Sequence, residues 1–392
     1  MIAKHKVKEI ILYGAFDRYN YGDNLMPILM EMYLVRFHAN AVKNYNISFA
    51  SIKSSDLTKY ECKKTLPITD FLNAEGGSVL IVVGGEVLSA DVVGLFTHVQ
   101  KNPLHAKLIR AGNKLFPQFI KKIAKQNYGA IWDYPYIPQI NSFKNKVKVI
   151  YNTVGGIPYP SQKENITNAA YISSRDERTY NAVSSMVPTE LVPDSVLMVS
   201  SLIDFDFLEK HVRFEIKELV KSKKIITVQA CPYKVQFTPQ EMARELDLIA
   251  STSDVQPVLL PIGYASGHDD VVFLQKVKDA SLSGVAIYSD LSVWEIMYMI
   301  ASSEAFYGTS LHGVITAMSF GVPHYCINHD IKKLVSFLKT WSIYPYNESI
   351  AVTDIASTLK YDHSSRRSEL LNTVEQSKNR IFESLNKISA IL

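Results

Sequence analysis

The sequence predicts a parallel α/β fold in two domains that face one another across a cleft. Two observations carry that prediction. Short apolar runs that end in glycine or polar loops alternate with stretches of helical period through both halves of the chain. At 392 residues the chain is also long enough for two domains with ample cores.

In the first half the apolar runs are EIILYGAF (9–16), SVLIVVGGE (78–86), KVIYNTVGG (148–156) and AAYISSRDE (169–177). In the second half they are KIITVQA (224–230), QPVLLPIG (256–263), GVAIYS (284–289), EAFYG (304–308) and PHYCIN (323–328). Such near-continuous apolar stretches suit strands buried on both faces of a parallel sheet. Helical patterns over 24–37, 238–251 and 291–302 supply connections. The first domain is expected to span 1–203, because the polar, helix-like stretch 204–222 after LVPDSVLMVS leads into a new series of strands. A second domain over 204–340 and a segment 341–392 complete the chain, the latter ending in a charged helical stretch that packs back across a domain surface.

Composition describes an ordinary globular protein, with 47% hydrophobic and 20% charged residues. A net charge of +4 argues against a nucleic-acid partner, and the lysines within 101–125 and 144–148 read as a solvated face. Cys62, Cys231 and Cys326 lie far apart without ligand spacing, which excludes a disulfide framework and a zinc motif and suits the cytosol. The opening MIAKHKVKEIILYGAF sets basic residues before an apolar run, but Glu9 and the brevity of the run point to a buried strand rather than a signal peptide. No apolar run reaches the ~18 residues of a membrane span. A cytoplasmic location is expected, with membrane contact at most peripheral, at the inner face.

The chemistry-bearing stretches sit at strand ends. In GTSLHGVITAMSFGVP (308–323), Leu311, Val314, Ile315, Met318 and Phe320 recur at helical spacing until Gly321 stops the helix. Thr309 and Ser310 stand where N-cap hydroxyls are wanted, so the unpartnered N–H groups of the first turn would attract anions. His312 lies in that turn. A lone histidine in an apolar segment can be a satisfied core side chain, but the carboxyl end of a strand is where α/β folds place ligands, and we take His312 as a site residue. In GAFDRYNYGDNL the glycines lack the dinucleotide-binding spacing. Gly22 permits close approach there, while Asp23 and Asn24 either cap the next helix or meet a ligand. VVGGEV offers Gly84, Gly85 and Glu86, with a second glycine pair at Gly155 and Gly156. In ISSRDERTY, Arg175 and Asp176 form a surface pair, or Arg175 grips a carboxylate or phosphate. VPDSVL adds Asp194, and GYASGHDD adds His268, Asp269 and Asp270. The aromatic stretch NYGAIWDYPYIP (127–138) reads as core and turn packing, the alternatives being sugar stacking or a membrane surface.

In this order, GDN, GGE, SRDE, PDS, GHDD and TSLHG followed by GVP, the chain resembles the polysaccharide pyruvyltransferases over residues 10–330. The resemblance implies a GT-B-like fold of two Rossmann-like domains with parallel sheets facing a central cleft. It also implies an activity in exopolysaccharide or capsule biosynthesis: transfer of the enolpyruvyl unit of phosphoenolpyruvate to a sugar diol as a cyclic ketal, with release of phosphate. The acceptor would belong to a bacterial surface polysaccharide or to its undecaprenyl-diphosphate-linked precursor. The first domain would hold the acceptor and part of the donor site, and the second the donor. Phosphoenolpyruvate is then a substrate, and neither a metal nor another cofactor is expected.

His312 matches the family histidine and would be the general acid, with Asp23 as the carboxylate that accepts a hydroxyl proton. Arg175 matches the arginine of the SRD segment and would bind the donor. The remaining substrate-binding candidates are Asn24, Gly84, Gly85, Glu86, Asp194, His268, Asp270, Thr309, Ser310, Leu311 and Lys234. One departure matters: many members carry arginine two positions before the histidine, where this chain has Ser310. A TSLHG form also occurs among exopolysaccharide members, and Lys234 in ACPYKVQF is the candidate replacement cation. The competing readings are a GT-B glycosyltransferase using a nucleotide sugar and a non-catalytic relative that keeps the fold.

Overall fold

The computed structural model describes residues 7–100, 102–264 and 269–392. Among these, strands β1 (Lys8–Tyr13), β2 (Tyr45–Ser51), β3 (Leu66–Pro67), β4 (Val79–Val82), β5 (Lys148–Val154), β6 (Tyr171–Ser174) and β7 (Glu190–Leu191) form one sheet. Its order is β3-β2-β1-β4-β5-β6-β7 and every pairing is parallel. Strands β8 (Lys224–Gln229), β9 (Val255–Leu259), β10 (Ala286–Ile287), β11 (Ala305–Gly308) and β12 (His324–Cys326) form a second parallel sheet ordered β10-β9-β8-β11-β12.

All nine apolar runs contain strands. The central β1 shows why: Ile10, Ile11, Leu12 and Tyr13 are all buried, so both faces must be apolar. The three strands absent from the sequence reading lie toward sheet edges. β2 reads YNISFAS and is half-exposed over most of its length, and β3 and β7 are two residues each.

Each sheet reverses its winding beside its first strand, between β1 and β4 and between β8 and β11. At such a switch point the connecting loops splay to opposite faces and leave a crevice beyond the strands' carboxyl ends. The helix Tyr21–Phe37 joins the two halves. The Tyr21 N–H donates to Ile262 O (3.1 Å), its hydroxyl meets Thr316 Oγ1 (2.9 Å), and Tyr19 donates to Leu291 O (2.8 Å). The apolar core on that side of the first sheet continues unbroken into the second domain, while the sheet's other face has a separate core.

After β7, Ser195–Met198 and Val199–Leu202 pack beside the helix Leu311–Ser319, where Ser319 Oγ donates to Leu197 O (2.8 Å). The stretch 204–222 folds as two helices, Phe205–Lys210 and Phe214–Ser222. The last helix, Ser364–Ile391, returns to the first domain through Ser384 with Tyr171 (2.8 Å) and Lys387 with Glu190 (2.7 Å). Trp132, Tyr136 and Ile137 of the aromatic stretch are buried in the first domain. No described helix is long and apolar enough to cross a membrane.

Candidate active site

The four switch-point loops and the segments after β6 and β12 line one cleft of ≈ 190 Å³. Ala15, Arg18 and Asn20 enter from the loop after β1, and Asp23 from the helix that follows; Gly84, Gly85 and Glu86 come from the loop after β4. Lys234 follows β8, Ser310, Leu311 and His312 follow β11, and Lys333 follows β12.

The helix Leu311–Ser319 sets His312. Its N-cap is Ser310, extended at φ −99° and ψ 125°, whose hydroxyl accepts from Gly313 N (3.4 Å). Gly22 lies against the imidazole: a Cβ there would stand 1.8 Å from Nδ1 and 2.4 Å from the histidine's own Cβ. The GDN and SLHG segments, at opposite ends of the chain, therefore meet through a glycine that leaves room for the ring. His312 Nε2 lies 3.5 Å from Asp194 Oδ2, an ion-pair distance short of a well-aligned hydrogen bond.

Behind them stands a buried charge network. Asp194 is 0% exposed, accepts from Val196 N through Oδ1 (3.0 Å) and from Arg175 Nη1 through Oδ2 (3.1 Å). Burial works against its charge, but His312, Arg175 and the Val196 N–H hold its carboxyl down at about 2. Arg175 Nη2 donates to Glu86 Oε2 (2.8 Å), and Arg178 also pairs with Glu86. Burial pushes Glu86 up, yet Arg175, Lys333 and Arg178 bring it to about 2. Gly155 makes room for this pair, since a Cβ there would lie 2.7 Å from both Arg175 Nε and Glu86 Oε2. Arg175 is thus an interior clamp between carboxylates, with only Nε unmatched by a hydrogen bond. Asp176 caps the helix Glu177–Ser184 through Thr179 N (2.9 Å).

Arg175 still lines the cleft, and Arg18, Lys234 and Lys333 bring further positive charge to it. The ammonium groups of Lys234 and Lys333 form no hydrogen bond or ion pair within the described structure. Close surrounding by protein and the neighbouring Lys234 push Lys333 down to about 8, although its side chain still opens to the cleft. Arg18 donates to Tyr128 OH (2.9 Å) and stays protonated despite burial. Asp23 Oδ1 would lie 3.7 Å from a Cβ on Gly85, placing the carboxylate at the glycine pair. Gly84 and Gly85 need their backbone freedom, at φ +126° and +90°.

Several expected residues are not at the cleft. Asn24 is buried, and its amide donates to Arg18 O (2.8 Å) and Asn20 O (3.0 Å), which fixes the loop rather than a ligand. Thr309 is buried between sheet loops, accepting from Cys231 N (3.0 Å) and facing Gln229 Oε1. Asp270 holds Gln229 Nε2 (2.8 Å) and the N–H groups of Ile262 and Gly263, and burial raises it to about 6. His268 lies outside the described residues. The sequence reading missed Arg18, although it singled out that loop, and missed Lys333. The strand-end rule applied to PHYCIN points to the segment that carries Lys333. No group of three or more His, Cys, Asp or Glu that could hold a metal occurs among the described residues.

A histidine at ion-pair distance from a buried carboxylate, a second carboxylate and cations in the same cleft can move protons beside a bound anion. Comparisons with known proteins give the family and the fold. The polysaccharide pyruvyl transferase family model matches residues 10–331. None of the curated proteins matches the chain. Among solved structures, UDP-GlcNAc 2-epimerase from Neisseria meningitidis bound to UDP-GlcNAc superposes with a TM-score of 0.53 at 11% identity, covering 97% of this chain and 100% of that one. The S. aureus MnaA structure with UDP gives a TM-score of 0.53 at 13% identity, covering 94% and 91%. At such low identity these likenesses show the GT-B-like, Rossmann-like two-domain fold alone.

Proposed function

The chain belongs to the polysaccharide pyruvyl transferase family, and from that premise we propose that it transfers the enolpyruvyl unit of phosphoenolpyruvate to a sugar diol of a bacterial surface polysaccharide or its lipid-linked precursor, forming a ketal and releasing phosphate. The observation that carries this reading is the meeting of His312, Asp23 and the unpaired Lys234 and Lys333 in one cleft.

Phosphoenolpyruvate brings a phosphate and a carboxylate. Lys234, Lys333 and the N–H groups at the start of the helix Leu311–Ser319 suit those charges. Arg175 acts indirectly, by fixing Asp194, which in turn orients His312. His312 donates a proton to the methylene carbon, leaving the adjacent carbon oxocarbenium-like. A sugar hydroxyl attacks that carbon while Asp23 takes its proton. In the second step another hydroxyl of the same sugar attacks the same carbon and phosphate leaves. The second hydroxyl's proton restores His312, and the proton on Asp23 departs with the phosphate. The products are a cyclic ketal and inorganic phosphate.

Thermal stability in the presence of candidate donors tests the reading. Phosphoenolpyruvate should raise the melting temperature and nucleotide sugars should not. Phosphate should appear only when a sugar with a suitable hydroxyl pair is added, with the ketal product read by mass. Stabilisation by a nucleotide sugar but not by phosphoenolpyruvate would overturn the proposal in favour of glycosyl transfer.

A further inference from the structure

The helices Pro103–Leu115 and Pro117–Tyr128 form a hairpin on the first domain, closely packed at Gly112, where a Cβ would lie 2.9 Å from Ile120 Cδ1. Its outer surface is apolar. Leu104, Leu108, Leu115, Phe116 and Phe119 are 65, 69, 73, 65 and 63% exposed. Three of these lie on one stripe, because positions 104, 108 and 115 follow the i, i+4, i+11 spacing of a single helix face. Ile109 turns the other way and packs against the core with Ile120. The first helix of the hairpin therefore has two apolar faces, one covered by its own domain and one bare. Single exposed apolar residues are ordinary, but a grouped set this large marks a contact surface.

The charge around the patch identifies the partner. From 92 to 132 the chain contains seven lysines and arginines and no aspartate or glutamate. Of the described cations in that stretch, only Lys121 and Lys125 find a carboxylate, Asp133 at 3.1 and 3.0 Å. Lys107, Arg110, Lys114 and Lys122 are exposed beside the apolar stripe. A second copy presenting this same face would set cations against cations without a carboxylate to pair them. An anionic lipid surface satisfies both features, with apolar side chains at the acyl boundary and ammonium and guanidinium groups on lipid phosphates.

We propose that this hairpin is an interfacial membrane anchor that docks the enzyme on anionic lipid. It packs against the helix Val92–His98, whose Leu95 and His98 line the cleft, so docking sets the cleft beside the bilayer surface. The proposal stands apart from the chemistry above, since lipid binding is measured without turnover.

The test is flotation of the full-length protein with vesicles of phosphatidylcholine alone or mixed with phosphatidylglycerol. The protein should float with the anionic vesicles, remain behind with neutral ones, and detach as salt rises. Leu108→Ser/Phe116→Ser/Phe119→Ser should lower the bound fraction about tenfold or more while the thermal melt stays unchanged, because these side chains are exposed. Lys107→Glu/Lys114→Glu should do the same. Failure of the wild type to float with anionic vesicles at low salt overturns the proposal, as does unchanged binding of the triple variant. So does a dimer in sedimentation that the triple variant turns into a monomer, which would assign the face to contact between copies.

Discussion

The imidazole of His312 lies over the backbone of Gly22, so close that a methyl group on Gly22 would stand 1.8 Å from Nδ1. The contact crosses from one domain to the other and holds the histidine at the cleft. Gly22→Ala should displace the ring, with a packing cost of about 1–3 kcal/mol and a turnover loss well beyond what that stability change explains. Normal turnover with an unchanged melt would show that the contact does not matter.

His312→Asn keeps a polar side chain of smaller volume and removes the acid. Folding and donor binding should survive, while turnover falls by the ~10²–10⁴-fold typical of a lost acid–base group. Steady-state kinetics beside a donor-binding isotherm separate the two. Near-wild-type turnover would exclude the role.

Arg175 clamps Asp194 and Glu86, which predicts a stability phenotype. Arg175→Ala takes the guanidinium away from the fully buried Asp194 and leaves Glu86 with Arg178 as its ion-pair partner, and should destabilise by about 3–5 kcal/mol, read from denaturant unfolding. The same network sets an acid limit. Because Asp194 and Glu86 are depressed to about 2, their contribution is complete above the ordinary carboxylate range and is lost as pH falls toward 2. An Arg175→Ala protein as stable as wild type, but weak in donor affinity, would instead return this arginine to direct donor binding.

Lys333 gives the donor site a pH signature. Its pKa of about 8 means it is cationic below that pH and neutral above it. Affinity for phosphoenolpyruvate should therefore be full below about 8 and decline as pH rises through it, and the bound anion should shift the midpoint upward. Lys333→Arg should flatten the profile, since guanidinium stays charged. Lys333→Ala should weaken the donor below about pH 8 and converge with the wild type above it, whereas Lys234→Ala should weaken the donor without abolishing that pH dependence. Calorimetric titration across the pH range checks this; a profile unchanged in Lys333→Ala would remove Lys333 from the site.

Ser310 caps the helix that carries His312. Ser310→Ala should cost about 1 kcal/mol with only a modest drop in activity. A large loss of activity at unchanged stability would mean that the hydroxyl touches the substrate.

Much of the fold is legible along the chain because parallel strands buried on both faces demand apolar runs, and β1, β4, β5, β8 and β11 have them. The edge strands β3 and β7 do not, since a two-residue pairing leaves no pattern to read. In the cleft, the strand-end rule reaches Asp23, Gly84, Gly85, Glu86, Ser310, Leu311 and His312. It cannot tell them from Asn24, Thr309 and Asp270, which lie at similar sites but engage backbone and neighbouring side chains in the interior. Which polar side chain faces a cleft depends on which partners the packed loops bring within hydrogen-bond reach.

By itself, then, the sequence determined the buried strands, helices that connect them and the stretches at the strands' carboxyl ends, because those follow from local periodicity and from turn and cap chemistry. Tertiary structure decided which charges are free. Arg175 reads like an anion site in the chain, but folding sets it between Glu86 and Asp194; Lys333 reads like an ordinary helix lysine, but folding sets it against Lys234 in the cleft. The reason is physical: a local pattern governs backbone conformation over a few residues, whereas the fate of a charge depends on neighbours that only long-range packing brings within a few ångströms.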